Sequence, residues 1–262
     1  MSHAKVGQTD SHEGFEFYQL WPAIVGLGTV FAALGVIIIL RGATLIPGIG
    51  IFAIFIVAVG GWAFHETRRY RLKPPVQKHV WPDLSHGDIK FVTYIFLLSE
   101  AMFFGGAFAT YYFIRLTSPI WPPIGAPELE ITIPALNTIV LLISSVTMHS
   151  ATIAIKRGSQ TGLRIGLLVT VILGILFLTG QATEYLRFGV SLQEVFRGTF
   201  FLLTGLHGLH VLIGVSFMIV VFSRSVAGHF TKERHAAVEA AAIYWHFVDV
   251  VWLLVFSSLF LV

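Results

Sequence analysis

The stretch YWHFVDVVW, from Tyr244 to Trp252, decides the fold class because it lies in an apolar run that extends from Val238 to Val262. About 20 mostly apolar residues are enough for a helix to cross a bilayer, so this run predicts a transmembrane helix. The stretch also holds His246 and Asp249. Because a charged side chain at the bilayer centre costs about 2.5–3.5 kcal/mol, we expect both residues to have partners within the protein.

The composition of the whole chain agrees with a membrane protein. Its 262 residues are 55% hydrophobic and only 12% charged, whereas soluble domains are about 25% charged. The chain has no cysteine, which excludes disulfides, thiolate metal sites and cysteine nucleophiles. Residues 1–20 form a polar tail without the apolar core of a signal peptide, so we expect no cleaved leader.

Hydropathy predicts an all-α membrane protein with seven transmembrane helices. A very short link joins the first two helices into a two-helix unit, residues 21–64. A longer linker, residues 65–90, contains Pro74-Pro75 and separates this unit from a five-helix bundle, residues 91–262. The predicted spans are Trp21–Leu40, Thr44–Phe64, Phe91–Ile114, Ile133–Ile155, Leu163–Leu186, Thr199–Phe222 and Val238–Val262.

The distribution of positive charge predicts the orientation of these helices. Of the 17 Lys and Arg residues, only Arg41, Arg115, Arg187 and Arg197 fall in loops on the side opposite the N-terminus. Loops rich in Lys and Arg remain cytoplasmic. We therefore expect a cytoplasmic N-terminus and an outside C-terminus, in a bacterial or archaeal plasma membrane or, for an organellar chain, in the mitochondrial inner membrane.

Glu100 lies near the middle of its predicted span and has no basic residue within its own helix. Intramembrane carboxylates of this kind often handle protons or mark functional sites. The alternative is a protonated acid that is hydrogen-bonded to a neighbouring helix, since desolvation favours the neutral form. The sequence leaves both interpretations open.

His207 and His210 share one helix face, as do His246 and Asp249, because each pair is three residues apart. Two haems cannot fit on histidines only about 4.5 Å apart along a helix axis. One metal ion bound by His207, His210 and His246 is an alternative. We favour a structural clamp in which these four side chains hydrogen-bond between helices. Trp245 and Trp252 form a stripe that suits either packing or lipid contact.

Basic residues near the cytoplasmic boundary, among them Arg68, Arg69 and Arg224, either set the orientation or contact anionic lipid headgroups. The sequence has no phosphate-binding loop, nucleophile elbow or paired catalytic carboxylates.

Several segments from Phe91 onward resemble, in order, subunit III of the haem-copper cytochrome c oxidases. They are SEAMFFGGAF (Ser99–Phe108), WPPIGAPELEITIPALNTIVLL (Trp121–Leu142), GQATEY (Gly180–Tyr185), TFFLLTGLHGLHVLIG (Thr199–Gly214) and EAAAIYWHFVDVVWLLVF (Glu239–Phe256).

The resemblance implies seven helices, two and five, around a V-shaped cleft filled with lipid. It implies a non-catalytic subunit without haem, copper or another metal, bound to phospholipids and to subunits I and II. Those partners hold the haems and copper, pass electrons from cytochrome c to dioxygen and pump protons. Subunit III supports the stability and proton uptake of subunit I, without binding cytochrome c itself.

Single residues also acquire roles from the resemblance. Glu100 corresponds to the family's carboxylate near the cleft, and Trp62, Arg68, Arg69 and Arg224 to lipid-binding positions. YWHFVDVVW matches a structural helix contact. Three alternatives remain: subunit III of a quinol oxidase, which usually lacks the N-terminal helix pair; an independent proton-conducting transporter that uses Glu100 and the histidines; and a haem-carrying membrane cytochrome, which the histidine spacing disfavours.

Overall fold

The computed structural model of the chain describes residues 45–72, 86–126, 129–188 and 194–261. Within these residues all regular structure is helical. A five-residue π-helical turn, Ser257–Leu261, follows the last α-helix directly. The α-helices are α1 (Leu45–Leu72), α2 (His86–Thr117), α3 (Thr132–Lys156), α4 (Gln160–Phe188), α5 (Val195–Val226) and α6 (Ala236–Phe256).

Among the described residues, five helices are long and apolar enough to cross a membrane, namely α2 to α6. α2 to α5 contain the first four spans predicted from Phe91 onward, and α6 with the π-helical turn covers residues 238–261 of the fifth, so those five helices are confirmed. α1 is helical and contains a shorter apolar segment, Ile56–His65. The predicted span Trp21–Leu40 lies outside the described residues, and the total of seven helices therefore stays a prediction.

Two helices continue into the segment predicted to be a linker, residues 65–90. α1 ends only at Leu72, and α2 already begins at His86. The hydropathy criterion stops where charged residues begin, but Glu, Arg and Leu are good helix formers that extend a helix beyond the membrane. Asp88 in the first turn of α2 further favours an early start, because a carboxylate stabilises a helix N-terminus.

α3 and α5 both end in Schellman motifs, and each motif places a glycine where a positive φ is required. Gly158 has φ +83° and Gly228 has φ +79°. The following amides, those of Ser159 and His229, donate to carbonyl oxygens five residues earlier, at 2.9 and 3.1 Å. Glycine adopts this left-handed conformation without the steric cost of a Cβ. The α3–α4 connection is thereby reduced to three residues, and the two helices form a tight antiparallel pair.

α6 is the central helix of the bundle and packs against α2, α3 and α5. Its Trp245 side chain is fully buried. The indole fits between Gly174 of α4 and Gly214 of α5, where an added Cβ would lie only 2.9 Å from the ring at either position. The indole Nε1 donates to Ser144 of α3 at 3.0 Å. Trp245 therefore joins four helices, and its stripe serves packing rather than lipid contact.

Candidate functional site

Buried polar groups occur at three depths along α6 and its neighbours. The first group is centred on Glu239, which is buried in the first turn of α6. Its two carboxylate oxygens lie 2.8 Å from Lys90 Nζ of α2 and 2.8 Å from Lys156 Nζ of α3. Buried charges are stable only when they are paired, so this ion triad ties three helices together at the membrane boundary.

The second group pairs Glu100 of α2 with His210 of α5. His210 Nε2 lies 2.8 Å from Glu100 Oε2, and His210 Nδ1 lies 2.7 Å from the carbonyl oxygen of Leu206. Phe104 covers the imidazole, with ring centroids 4.7 Å apart. The Glu100 side chain is 22% exposed. The carboxyl group that lacked a partner in its own helix thus finds one on a neighbouring helix.

The two hydrogen bonds of His210 fix how many protons the pair holds. A carbonyl oxygen only accepts, so Nδ1 must carry a proton to donate to Leu206. The contact between Nε2 and Oε2 then needs one further proton. That proton resides either on Glu100, as a carboxylic acid, or on His210, as an imidazolium opposite a carboxylate. The geometry therefore describes a hydrogen-bonded pair in which either side chain can be the donor across the 2.8 Å contact.

The third group lies between α6 and α3. His246 Nδ1 is 2.8 Å from Ser145 Oγ and 3.4 Å from Asp249 Oδ2. The Asp249 side chain is buried. Trp252 Nε1 donates to Thr138 Oγ1 at 2.9 Å one turn further along. The α3 face that receives α6 therefore carries a series of hydroxyl groups, and YWHFVDVVW supplies the side chains that bond to them.

His207 occupies a different environment from the other three predicted clamp residues. It is fully buried, and neither ring nitrogen has a hydrogen-bond partner among the described residues. Its ring packs against Trp252 and Phe177, with centroid distances of 5.0 and 5.6 Å. The structure thus brings His210 to Glu100 and His246 to Asp249, while His207 contacts aromatic rings.

This difference predicts opposite responses to substitution. We expect His207→Leu to change the free energy of unfolding by less than about 0.5 kcal/mol or to raise it, because no hydrogen bond is lost and a desolvated polar ring is removed. His210→Leu, the matched control one turn away, should cost about 1–3 kcal/mol since it leaves Glu100 without its partner. Thermal denaturation of the purified variants measures both values, and equal losses would contradict the assignment.

A cavity of about 400 Å³ lies between α1 and the bundle. Its wall is largely apolar, with the hydroxyls of Thr93, Ser216 and Tyr244 as polar groups. Tyr244 also donates to the carbonyl oxygen of His210 at 3.1 Å, so the cavity ends close to the Glu100–His210 pair. The residues that line it are Trp62, Val92, Thr93, Phe96, Ile213, Ser216, Phe217, Ala240 and Tyr244.

Of the predicted lipid-binding residues, Trp62 lines this cavity, and Arg69 follows Trp62 by two turns of α1. Arg224 follows the lining residue Phe217 by the same interval on α5, and its guanidinium lies over the Phe230 ring at 5.2 Å. Arg68 is exposed.

Within the described parts of the chain, no group of three or more His, Asp or Glu side chains is arranged to hold a metal ion. In particular, His207, His210 and His246 do not form such a group.

Sequence reasoning did not identify the partners of Glu239 or the hydroxyls of α3. One signal was available, since Thr138 and Ser145 lie within a predicted span, and their interval of seven residues places them on one helix face.

Comparisons with known proteins agree with these observations. Residues 17–262 match the family model described as "Cytochrome c oxidase subunit III". A Thermostichus vulcanus protein named cytochrome c oxidase subunit 3 is 42% identical over 169 residues, which cover 64% of this chain and 84% of that protein. The proteins of the same name from Synechocystis sp. and Rattus norvegicus are 41% and 39% identical, over 67% and 70% of this chain and 77% and 73% of their own lengths.

Proposed function

The chain belongs to the cytochrome c oxidase subunit III family, and we propose that it serves its oxidase as a non-catalytic subunit that binds phospholipid and stabilises subunit I. The observation that carries this proposal is the combination of an apolar cavity with polar contacts directed to neighbouring helices. Glu239 joins α6 to α2 and α3, Tyr244 joins it to α5, and His246 joins it to α3. Haems and copper belong to subunits I and II, which transfer electrons from cytochrome c to dioxygen.

The cavity supports the lipid-binding part of the proposal. It lies between α1 and the α2, α5 and α6 helices, at the position that a V-shaped cleft between a two-helix and a five-helix unit would occupy. An acyl chain suits its apolar wall, and a phosphate group suits arginines at its cytoplasmic end, since guanidinium groups bind phosphate by paired hydrogen bonds. Trp62, Arg68, Arg69 and Arg224 are the residues that we propose for this site.

The double variant Arg69→Ala/Arg224→Ala is expected to lose bound phospholipid. Removing two cationic groups at the membrane surface weakens headgroup binding by about 1 kcal/mol each, or roughly thirtyfold together. Native mass spectrometry of the purified complex counts the retained lipids. Arg157→Ala, at the exposed α3–α4 turn, is the matched control. Equal lipid retention in both variants would refute the proposed site.

The same reasoning supports a clamp role for His246 and Asp249. We expect Asp249→Ala to reduce the amount of this subunit in the assembled oxidase while the assembled fraction keeps its turnover rate. Asp249 is buried beside His246, so its removal loosens the α3–α6 contact without touching a reacting atom. Quantitative immunoblots and oxygen consumption per haem measure the two effects. A normal yield together with slower turnover would contradict this expectation.

The proposed topology has a cytoplasmic N-terminus, an outside C-terminus and two helices before the five-helix bundle. The alignment of Lys90, Lys156 and Glu239 at one end supports it, because lysines favour the cytoplasmic boundary. We propose cytochrome c rather than quinol as the electron donor of the complex, since the sequence predicts the N-terminal helix pair. The membrane is the plasma membrane of a bacterium or archaeon, or the mitochondrial inner membrane for an organellar chain.

A reduced-minus-oxidised visible spectrum tests the proposed function. The tagged chain is purified from its native membrane in mild detergent, and spectra are recorded before and after its partners are stripped. We expect haem bands in the gentle preparation that disappear from the isolated chain. Bands that stay with the isolated chain would make its histidines haem ligands, and no bands in either preparation would favour a transporter.

A further inference from the structure

The outer face of α6 is open along the middle of the membrane. α6 packs against α2 on one side and α3 on the other, and the residues between these contacts are exposed. Val250 is 57% exposed, Leu253 is 41% exposed and the His246 side chain is 38% exposed. We name this face the α6 groove. It is bounded by α2 and α3, and its base is formed by His246, Val250 and Leu253.

Two histidines lie on the α6 groove at the depth of the hydrocarbon. His149 of α3 is exposed, and its ring centroid is 6.4 Å from that of His246. His149 lies seven residues, or about 10 Å along the helix, from Lys156 at the end of α3. His246 lies ten residues, or about 15 Å, from Ala236 at the start of α6. Among the described residues His149 makes no hydrogen bond, whereas His246 bonds to Ser145 through Nδ1 alone.

Such a face is unsuited to lipid. An imidazole always carries at least one polar nitrogen that needs a partner, and hydrocarbon provides none. The exposed side chains of α4 at similar depth are aliphatic, as expected of a lipid-facing surface: Ile172 is 55% exposed, Ile175 48% and Leu176 51%. The contrast between α4 and the α6 groove therefore distinguishes a surface covered by lipid from one covered by protein.

We propose that the α6 groove is the surface on which a transmembrane helix of another oxidase subunit docks, with a hydrogen-bonding side chain directed to His149 and His246. This inference rests on the proposed function, because that function supplies the partner. The α2 wall of the groove admits a close helix, since Ala101 and Gly105 lie on it and an added Cβ at Gly105 would meet nothing within 4 Å. Small residues allow helix backbones to approach closely in membranes.

Site-specific photo-crosslinking in the native membrane tests the proposal. A benzophenone amino acid is placed at Val250 within the groove or, as the matched control, at Ile172 on α4. We expect Val250 to form an adduct with an oxidase subunit, identified by mass spectrometry, and Ile172 to form none with protein. An adduct at Ile172 alone, adducts with lipid alone, or an adduct with a second copy of this chain or with a protein outside the oxidase would overturn it.

A second variant covers the case in which the bulky probe prevents docking. His149→Leu breaks no hydrogen bond within the described chain. Any weaker retention of the haem-containing subunits by this variant should therefore come from the lost contact with the partner helix. We expect the affinity for the haem-containing subunits to fall about threefold to tenfold in detergent. Ser150→Ala is the control, because Ser150 Oγ donates to the carbonyl of Val146 in its own helix. Unchanged or improved retention of His149→Leu would overturn the proposal.

The same preparations separate failure of this inference from failure of the proposed function. Haem absorbance that co-purifies with the tagged wild-type chain establishes that the chain is an oxidase subunit. If haem is present and neither test supports the α6 groove, the docking face is wrong and the function stands. If no haem co-purifies, the proposed function itself is wrong.

Discussion

The variant Trp245→Ala is expected to lower the free energy of unfolding of the α2–α6 bundle by about 3–5 kcal/mol, the usual cost of truncating a large buried aromatic side chain. The indole is fully buried, joins four helices and donates to Ser144 at 3.0 Å. Alanine would leave a cavity between Gly174 and Gly214, and Ser144 would keep only its bond to the carbonyl oxygen of Leu141. The measurement is the fraction of this subunit that remains with the haem-containing complex during thermal or detergent denaturation.

Leu176→Ala is the control for this experiment, because Leu176 is 51% exposed on α4 and its truncation opens no internal cavity. We expect that variant to resemble the wild type. A second check adds a methyl group next to the indole. Gly214→Ala should lower the free energy of unfolding by about 1–3 kcal/mol through overpacking against the Trp245 ring. If Trp245→Ala were as stable as Leu176→Ala, the central role of α6 would be wrong.

The sequence was sufficient to predict the five helices from Phe91 onward, because a transmembrane helix must satisfy its backbone within one continuous apolar segment. It did not predict where α1 ends or α2 begins. Hydropathy locates the membrane boundary, whereas the end of a helix depends on capping and on charged helix formers such as those from His65 to Leu72. The motif EAAAIYWHFVDVVWLLVF pointed to a structural helix, and α6 is indeed the helix on which the others pack.

The partners of the polar residues could not be predicted in the same way. The contact between Glu100 and His210 joins residues 110 positions apart, and it depends on the rotation and axial register of two helices that no local pattern specifies. The spacing of three correctly gave His207 and His210 a common helix face. It did not reveal that one of them contacts Glu100 while the other lies among aromatic rings. Periodicity assigns a face, and packing determines what that face contacts.

α2 itself illustrates how little of a membrane helix needs to be buried for docking. Its buried side chains are Leu97, Phe104 and Tyr111, at intervals of seven residues. Glu100 lies beside this seam and supplies its bond to α5, while Lys90 and Tyr111 bond to α6 and to Ser258 at the two ends. The attachment of α2 therefore includes polar contacts at three depths, and Glu100 supplies the central one.

Glu100 is thus the position at which a single substitution should separate a docking role from a proton-handling role. We expect Glu100→Ala to leave the oxidase assembled and its initial oxygen consumption largely intact, while the working life of the enzyme in repeated turnover becomes several-fold shorter. The loss of the bond leaves His210 Nε2 without a partner, which costs about 1–3 kcal/mol in the contact between α2 and α5. Oxygen uptake followed until activity ceases measures both quantities.

Glu100→Gln distinguishes the two roles because its amide can still donate to His210 Nε2 but cannot release a proton. If Glu100 acts only by holding α2 in place, Glu100→Gln should have nearly the wild-type working life and Glu100→Ala a short one. If the shared proton matters, both variants should be short-lived. An immediate stop of oxygen reduction in an intact Glu100→Ala complex would contradict the supporting role of this chain.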